Sequence, residues 1–277
     1  VMTRLGGGDI LLSILGQFTP VWFAMAVILG LSYVFRKRLG LYGRLFDSPI
    51  GMVGLVLVLF WVLTAIFAEM IINFDPLDQL SGMKNKKPGW PVRDVEGAFY
   101  LLGGDNLARD IFSRVVMGSR TVLSVAPAAT IFAFMVGITL GLPAGYYGQR
   151  FDMVLSFISN GVLAFPVILL FFLLVTPEIR STGVPLALAG VLFLFPIIFL
   201  LLLFTARYRE RPTTLAVYLG VTLVIGLWAY SGLAFNADPL GILYMDPNLL
   251  NIFVSVVFVN SPTVFRIVRG LTIDIKT

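Results

Sequence analysis

The sequence predicts an all-α protein, a polytopic transmembrane helical bundle of about seven spans. Two observations carry that prediction. Of its 277 residues, 58% are hydrophobic and only 13% are charged, about half the charged fraction of an ordinary soluble domain. The apolar residues also fall in blocks near the roughly 20-residue length that crosses a bilayer, longer than a soluble core requires.

The composition excludes much chemistry. There are no cysteines and no histidines, so disulfides, thiolate zinc sites, a cysteine nucleophile and imidazole acid–base or metal chemistry are all absent. No catalytic residue, cofactor or metal site is expected. The net charge of +5 and pI near 9.6 do not call for nucleic acid, because basic residues of a membrane protein gather in its cytoplasmic loops.

The predicted spans run over 17–35, 50–72, 121–146, 153–175, 184–206, 213–235 and 248–268. Asn251, Asn260, Ser261 and Pro262 make the last the least clean. The short loops set the orientation. Arg36-Lys37-Arg38 and Arg44 follow the first span and mark a cytoplasmic loop. By alternation Gln149-Arg150, the triplet Arg207, Arg209 and Arg211, and Arg266 with Arg269 and Lys276 also fall inside. The segment 73–120 falls outside despite Lys84, Lys86 and Lys87, since long loops carry little weight in this rule. The connection Asn236–Asn248 has Asp238 and Asp246 but no Lys or Arg, and falls outside with the N-terminus. Gly6-Gly7-Gly8-Asp9 reads as a flexible lead-in.

Ionisable side chains are nearly absent from the spans, with Glu69 near the outer end of the second. Ion-coupled transporters place such groups at membrane depth, so the chain is either passive or takes its energy from a partner. Paired acids at depth are missing too, which disfavours a membrane-embedded enzyme. The chain has no Gly-x4-Gly-Lys-Ser/Thr phosphate loop and is not itself an ATPase.

Small residues and prolines punctuate the spans. Gly137, Gly141 and Gly145, at four-residue spacing, make a smooth groove on one helix face and are the candidate helix-packing stripe. Asn160 and Asn260, polar at membrane depth, either line a translocation path or hydrogen-bond between helices.

The most informative stretch precedes the third span: Leu102-Gly103-Gly104-Asp105-Asn106-Leu107-Ala108-Arg109-Asp110-Ile111-Phe112-Ser113-Arg114, then Gly118-Ser119-Arg120. It reads as a turn capping a short amphipathic interfacial helix. It also closely resembles the segment before the second core helix of permease subunits in peptide- and nickel-type ABC importers, whose pattern is Leu-Gly-Thr-Asp-x-x-Gly-Arg-Asp-x-x-Ser-Arg followed by Gly-x-Arg. Gly104 stands where that family has Thr, and Ala108 where it has Gly, which argues against a left-handed backbone there. Further stretches agree in order: Asp75-Pro76-Leu77-Asp78; Gly141-Leu142-Pro143-Ala144-Gly145-Tyr146-Tyr147-Gly148 with Phe151-Asp152; Leu163-Ala164-Phe165-Pro166; and Ser261-Pro262-Thr263-Val264-Phe265-Arg266-Ile267-Val268-Arg269-Gly270.

The resemblance implies a type I ABC importer permease fold with extra helices. Residues 1–45 add an N-terminal helix and cytoplasmic loop, and 46–175 hold the first part of the core with external loop 73–120. Residues 176–248 insert a helical pair, and 249–277 begin the helix toward the cytoplasmic coupling loop. That loop would follow Thr277, so the sequence reads as a C-terminally truncated permease. The implied function is the membrane subunit of an ATP-driven importer of peptides or related small solutes in a prokaryotic inner membrane. Its implied partners are a second permease subunit, cytoplasmic ATPase subunits, an extracytoplasmic solute-binding protein and membrane lipid. Asp105, Arg109, Asp110 and Arg114 are then either docking residues for the binding protein or anchors of an interfacial helix. The competing function is a membrane scaffold or assembly protein without transport activity.

Overall fold

The computed structural model describes residues 3–93, 95 and 97–276. The chain folds as two units, Val1–Ser124 and Val125–Thr277.

The first unit opens with α1 (Gly7–Gln17) and α2 (Thr19–Val34), bent by 55° at Phe18. The glycine run expected as a lead-in is therefore the start of a helix. Asp9 lies in its first turn, where a carboxylate suits the helix dipole, and the Leu5 N–H is held by the Gly89 carbonyl at 3.0 Å. The bend has a local cause. Pro20 has no N–H to give the preceding turn, and side chains take its place: Thr19 Oγ1 donates to Gly16 O at 2.5 Å and Trp22 Nε1 to Leu15 O at 3.2 Å.

Two short 3-10 turns, Arg36–Arg38 and Gly43–Asp47, lead to α3 (Pro49–Ile66). Ser48 caps α3 by accepting the Gly51 N–H at 3.2 Å, with Pro49 at its first position, the arrangement that both residue types favour. The single turn α4 (Ala68–Ile71) follows. The described residues of 72–110 then form a small folded segment outside the spans. Strands β1 (Trp90–Pro91) and β2 (Phe99–Tyr100) pair antiparallel, Trp90 opposite Tyr100, over a core of Met83, Val92 and Tyr100. A second core joins Phe18 and Val21 of the first helices to Leu63, Ile71, Phe112 and Val116.

Helix α5 (Ile111–Tyr147) is one continuous helix of 37 residues. The expected interfacial helix and third span are thus a single element, about 55 Å long at 1.5 Å per residue. That exceeds a hydrocarbon core of about 30 Å.

In the second unit the remainder of α5 is joined by α6 (Gln149–Ala164), α7 (Val167–Val175), α8 (Pro177–Ser181), α9 (Val184–Leu192), α10 (Leu194–Arg207), α11 (Pro212–Phe235) and α12 (Pro247–Lys276). Helix α12 is the central one, with ten buried residues, whereas α11 has three. Leu250, Phe253, Val254 and Val257 of α12 meet Ala129 and Val136 of α5, Ala189 and Leu192 of α9, and Ala234 of α11. Phe132 stands edge-on to Phe193 and Phe253. Two of the residues that blurred this span, Asn260 and Ser261, are absorbed by the helix itself, as is Ser255. Ser255, Asn260 and Ser261 donate to the carbonyls of Asn251, Val256 and Val257 at 2.6–2.7 Å.

Among the described residues five helical stretches are long and apolar enough to cross a membrane, or six with the bent α1–α2 pair. The expectation of about seven is corrected at 153–175. That stretch is two helices of 16 and 9 residues, broken at Phe165-Pro166, because proline withholds a donor and clashes with the preceding turn. The protein is an all-α, multi-pass membrane protein.

Candidate functional site

The segment before α5 is organised around one carboxylate. Asp105 Oδ1 accepts the backbone N–H groups of Leu107 at 2.8 Å and Arg109 at 2.9 Å. Its Oδ2 accepts Arg109 Nε at 2.8 Å and lies 3.2 Å from Arg114 Nη1. Three of the four candidate residues, Asp105, Arg109 and Arg114, therefore form one cluster of net charge +1. Burial disfavours the charged form of Asp105, but the two amides and the Arg109 guanidinium outweigh it and hold its carboxyl below the usual range. Arg114 is the most open of the three, its side chain 39% exposed against 19% for Arg109.

Asp110 does not join them. It is 2% exposed and caps α5: its Oδ2 accepts the Ser113 N–H at 2.9 Å and the Ser113 hydroxyl at 2.6 Å. Burial pushes its carboxyl upward, only partly offset by those bonds. Tyr100, whose hydroxyl donates to Ala108 O at 3.1 Å, is pushed up to about 12 by burial and by the charges of Asp110, Asp78 and Asp105.

Both departures from the family pattern have a structural consequence. A Cβ on Gly104 would lie 2.0 Å from Met83 O, so no larger residue fits where the loop crosses that backbone. Ala108 has φ +63°. The expectation that no left-handed backbone is needed there is corrected: the chain adopts it with a Cβ present, at a cost of roughly 1–2 kcal/mol. The geometry follows from ties on both sides, since Ala108 N–H donates to Asp105 O at 3.1 Å and Ala108 O accepts the Leu80 N–H at 3.2 Å.

Arg120 was not singled out in the sequence. Its Nε donates to Ala65 O at 2.7 Å, and its Nη1 meets Glu69 Oε1 at 2.7 Å. A guanidinium thus sits on the C-terminal carbonyls of α3, where the helix dipole favours a cation. The Gly-x-Arg step of the motif was the available signal.

In the second unit the glycine stripe faces α12. A Cβ at Gly137 would lie 2.5 Å from Val264 Cγ1, at Gly141 3.0 Å from Phe265 O, and at Gly145 2.6 Å from Thr272 Cβ. Near one end of this contact Asp152 receives both Nε and Nη2 of Arg269, and also the Ser156 hydroxyl at 3.0 Å. This α6–α12 clamp was missed, because 117 residues separate its halves. Ser159 Oγ donates to Pro262 O at 3.3 Å, and Asn160 Oδ1 accepts Arg266 Nη2 at 3.0 Å. Asn260 bonds its own helix and lines a cavity of about 150 Å³ with Ala129, Ala133, Val264, Thr130 and Thr263. That is smaller than the 300–1,000 Å³ or so of small-molecule pockets. Asn160 and Asn260 are both exposed, and their hydrogen bonds among the described residues go to Arg266 and Val256, respectively.

Residues 41–88 match the family model described as the N-terminal TM domain of oligopeptide transport permease C. The chain is 33% identical over 153 residues to the dipeptide transport system permease protein DppC of Alkalihalophilus pseudofirmus, covering 54% of this chain and 48% of that protein. The resemblance is to a peptide-importer permease. Over 131 residues it is 30% identical to the oligopeptide transport system permease protein OppC of Bacillus subtilis, covering 47% of this chain and 40% of that one. Over 71 residues it is 45% identical to the glutathione transport system permease protein GsiD of Pectobacterium atrosepticum, 26% of this chain and 24% of that one. The alignments span about half the length of these peptide permeases or less. No solved structure matches. The resemblance to permease subunits of peptide-type ABC importers read from the motifs holds, in a multi-pass protein of the bacterial inner membrane.

Proposed function

We propose that this chain is a membrane subunit of an ATP-driven importer for peptides or related small solutes, contributing part of the translocation path. The observation that carries the reading is the motif around Asp105, which folds as one cluster between a packed external segment and the first turn of α5. Ionisable groups are nearly absent from the spans predicted from sequence, where an ion-coupled transporter would place them, so ATPase subunits are the proposed energy source and a second permease subunit the other wall of the path. The segment 73–120 is the proposed docking face for a solute-binding protein. In it Arg109 holds the turn together, while the more open Arg114 is available to a partner carboxylate. Residues 176–248 are proposed as an insertion into the permease core, and Asn160 and Asn260 as polar groups beside the path.

The test is to co-express the chain with the products of neighbouring reading frames, purify it, and measure ATP-dependent uptake of labelled di- and oligopeptides into proteoliposomes. Co-purification of an ATPase together with uptake supports the proposal. A chain that purifies alone, with no stimulated ATP hydrolysis, overturns it in favour of the membrane scaffold. Within the assembled complex, Arg114→Glu is expected to impair binding-protein-stimulated ATP hydrolysis and leave assembly intact. Unchanged stimulation would remove the docking role.

A further inference from the structure

Helices α10 and α11 are joined by the tight turn 208–211. Arg207, Arg209, Glu210 and Arg211 surround a single hollow of about 570 Å³. All four are exposed, and none has an ion-pair partner within 4.0 Å among the described residues. In this they differ from Arg109, Arg114, Arg120 and Arg269, each of which holds a carboxylate. Three guanidinium groups and one carboxylate leave the hollow with a net charge of +2.

Its surroundings are equally specific. Tyr208 stacks on Tyr218 at 4.9 Å, and Phe204 lies 4.9 Å from the same ring. Tyrosines of this kind belong at the headgroup level of a bilayer. Below them Leu202, Leu203, Val217 and Val221 are exposed on two stretches long enough to cross a membrane, Val184–Arg207, which ends in α10, and α11. Cations, then an aromatic layer, then bare aliphatic surface follow the outline of a phospholipid from headgroup to acyl chain.

We propose that residues 207–211 bind the headgroup of an anionic phospholipid, with its acyl chains lying along α10 and α11. The guanidinium groups supply paired donors to phosphodiester oxygens, and the aliphatic flank supplies contact that a free anion in water does not obtain. Glu210 opposes the negative headgroup and tempers its affinity. The pair α10–α11 thereby acts as a lipid-anchored element of the fold.

The experiment uses the full chain in nanodiscs of phosphatidylcholine mixed with phosphatidylglycerol, extracted and read by native mass spectrometry for retained lipid. Wild type is expected to retain phosphatidylglycerol over phosphatidylcholine, and Arg209→Gln to lower that preference about fivefold, near 1 kcal/mol per basic residue at a membrane surface. Removing arginines also weakens the topology signal, so a second variant works in the opposite direction. Glu210→Gln adds net positive charge and is expected to raise the preference about fivefold. Equal retention of the two lipids by wild type overturns the proposal, as does an unchanged preference in both variants. Release of phosphatidylglycerol by inorganic phosphate would make the hollow a free-anion site and overturn it as well.

Discussion

Placing an alanine on the glycine stripe of α5 tests how tightly α5 and α12 must approach. In an exposed helix interior, Gly→Ala stabilises by about 1 kcal/mol through backbone entropy. At Gly161 of α6, where an added Cβ meets nothing within 4 Å, that gain is the whole effect expected. At Gly145 the new Cβ would lie 2.6 Å from Thr272 Cβ and 2.8 Å from the Arg269 backbone oxygen. Ordinary contact is about 3.5–4.0 Å, so α12 would have to retreat by roughly 1 Å. Overpacking of this kind costs about 1–3 kcal/mol, which leaves Gly145→Ala net destabilised by up to about 2 kcal/mol. Gly141→Ala, whose nearest approach is 3.0 Å to Phe265 O, falls between the two. Val264→Ala rescues Gly137→Ala only in part, because Val264 Cβ at 2.6 Å and Phe265 N at 2.9 Å remain in the way. Thermal unfolding of the purified chain in detergent reads each of these variants. If Gly145→Ala were stabilised as much as Gly161→Ala, the close approach of α5 and α12 would be refuted.

Four further expectations follow from the loops and the clamp. Ala108→Gly removes the left-handed strain and should stabilise by up to about 1 kcal/mol, whereas Ala108→Val, β-branched at φ +63°, should destabilise; chemical denaturation distinguishes them. Asp238 accepts the Trp228 indole N–H at 2.6 Å and the Leu240, Ile242 and Leu243 amides. Burial opposes its charge, but these donors depress its carboxyl to about 2 from 3.8. Its stabilising contribution is then full above pH 4 or so and lost as pH falls toward 2; Asp238→Asn should flatten the melting-temperature profile in that window. Asp110→Ala should cost about 1–2 kcal/mol as a lost helix cap, and Asp110→Asn less, since an amide oxygen still accepts from Ser113; circular-dichroism melts read both. Asp152→Arg and Arg269→Asp should each destabilise, and the combined exchange should recover part of the loss. A double variant no better than the sum of the singles would remove the clamp.

The motif around Asp105 was legible because its residues are near neighbours in the chain: a carboxylate two to nine residues from two amides and two arginines closes its bonds locally. Its division was not legible. Asp110 and Asp105 look alike in sequence, yet one is a buried cap and the other a paired hub, because only Asp110 stands at the first turn of α5. The strand pair at Trp90 and Tyr100 was invisible, since two residues per strand carry no periodicity.

By itself the sequence determined the membrane environment, the all-α class, most of the spans and the family resemblance. These rest on composition, block length and short motifs, which are properties of neighbouring residues. Only the tertiary structure decided that α12 is the central helix, that the glycine stripe of α5 faces it, and that Asp152 meets Arg269 across 117 residues. Apolar helices of similar hydropathy are interchangeable in a sequence, and their places are set by which side chains interlock once the chain has packed.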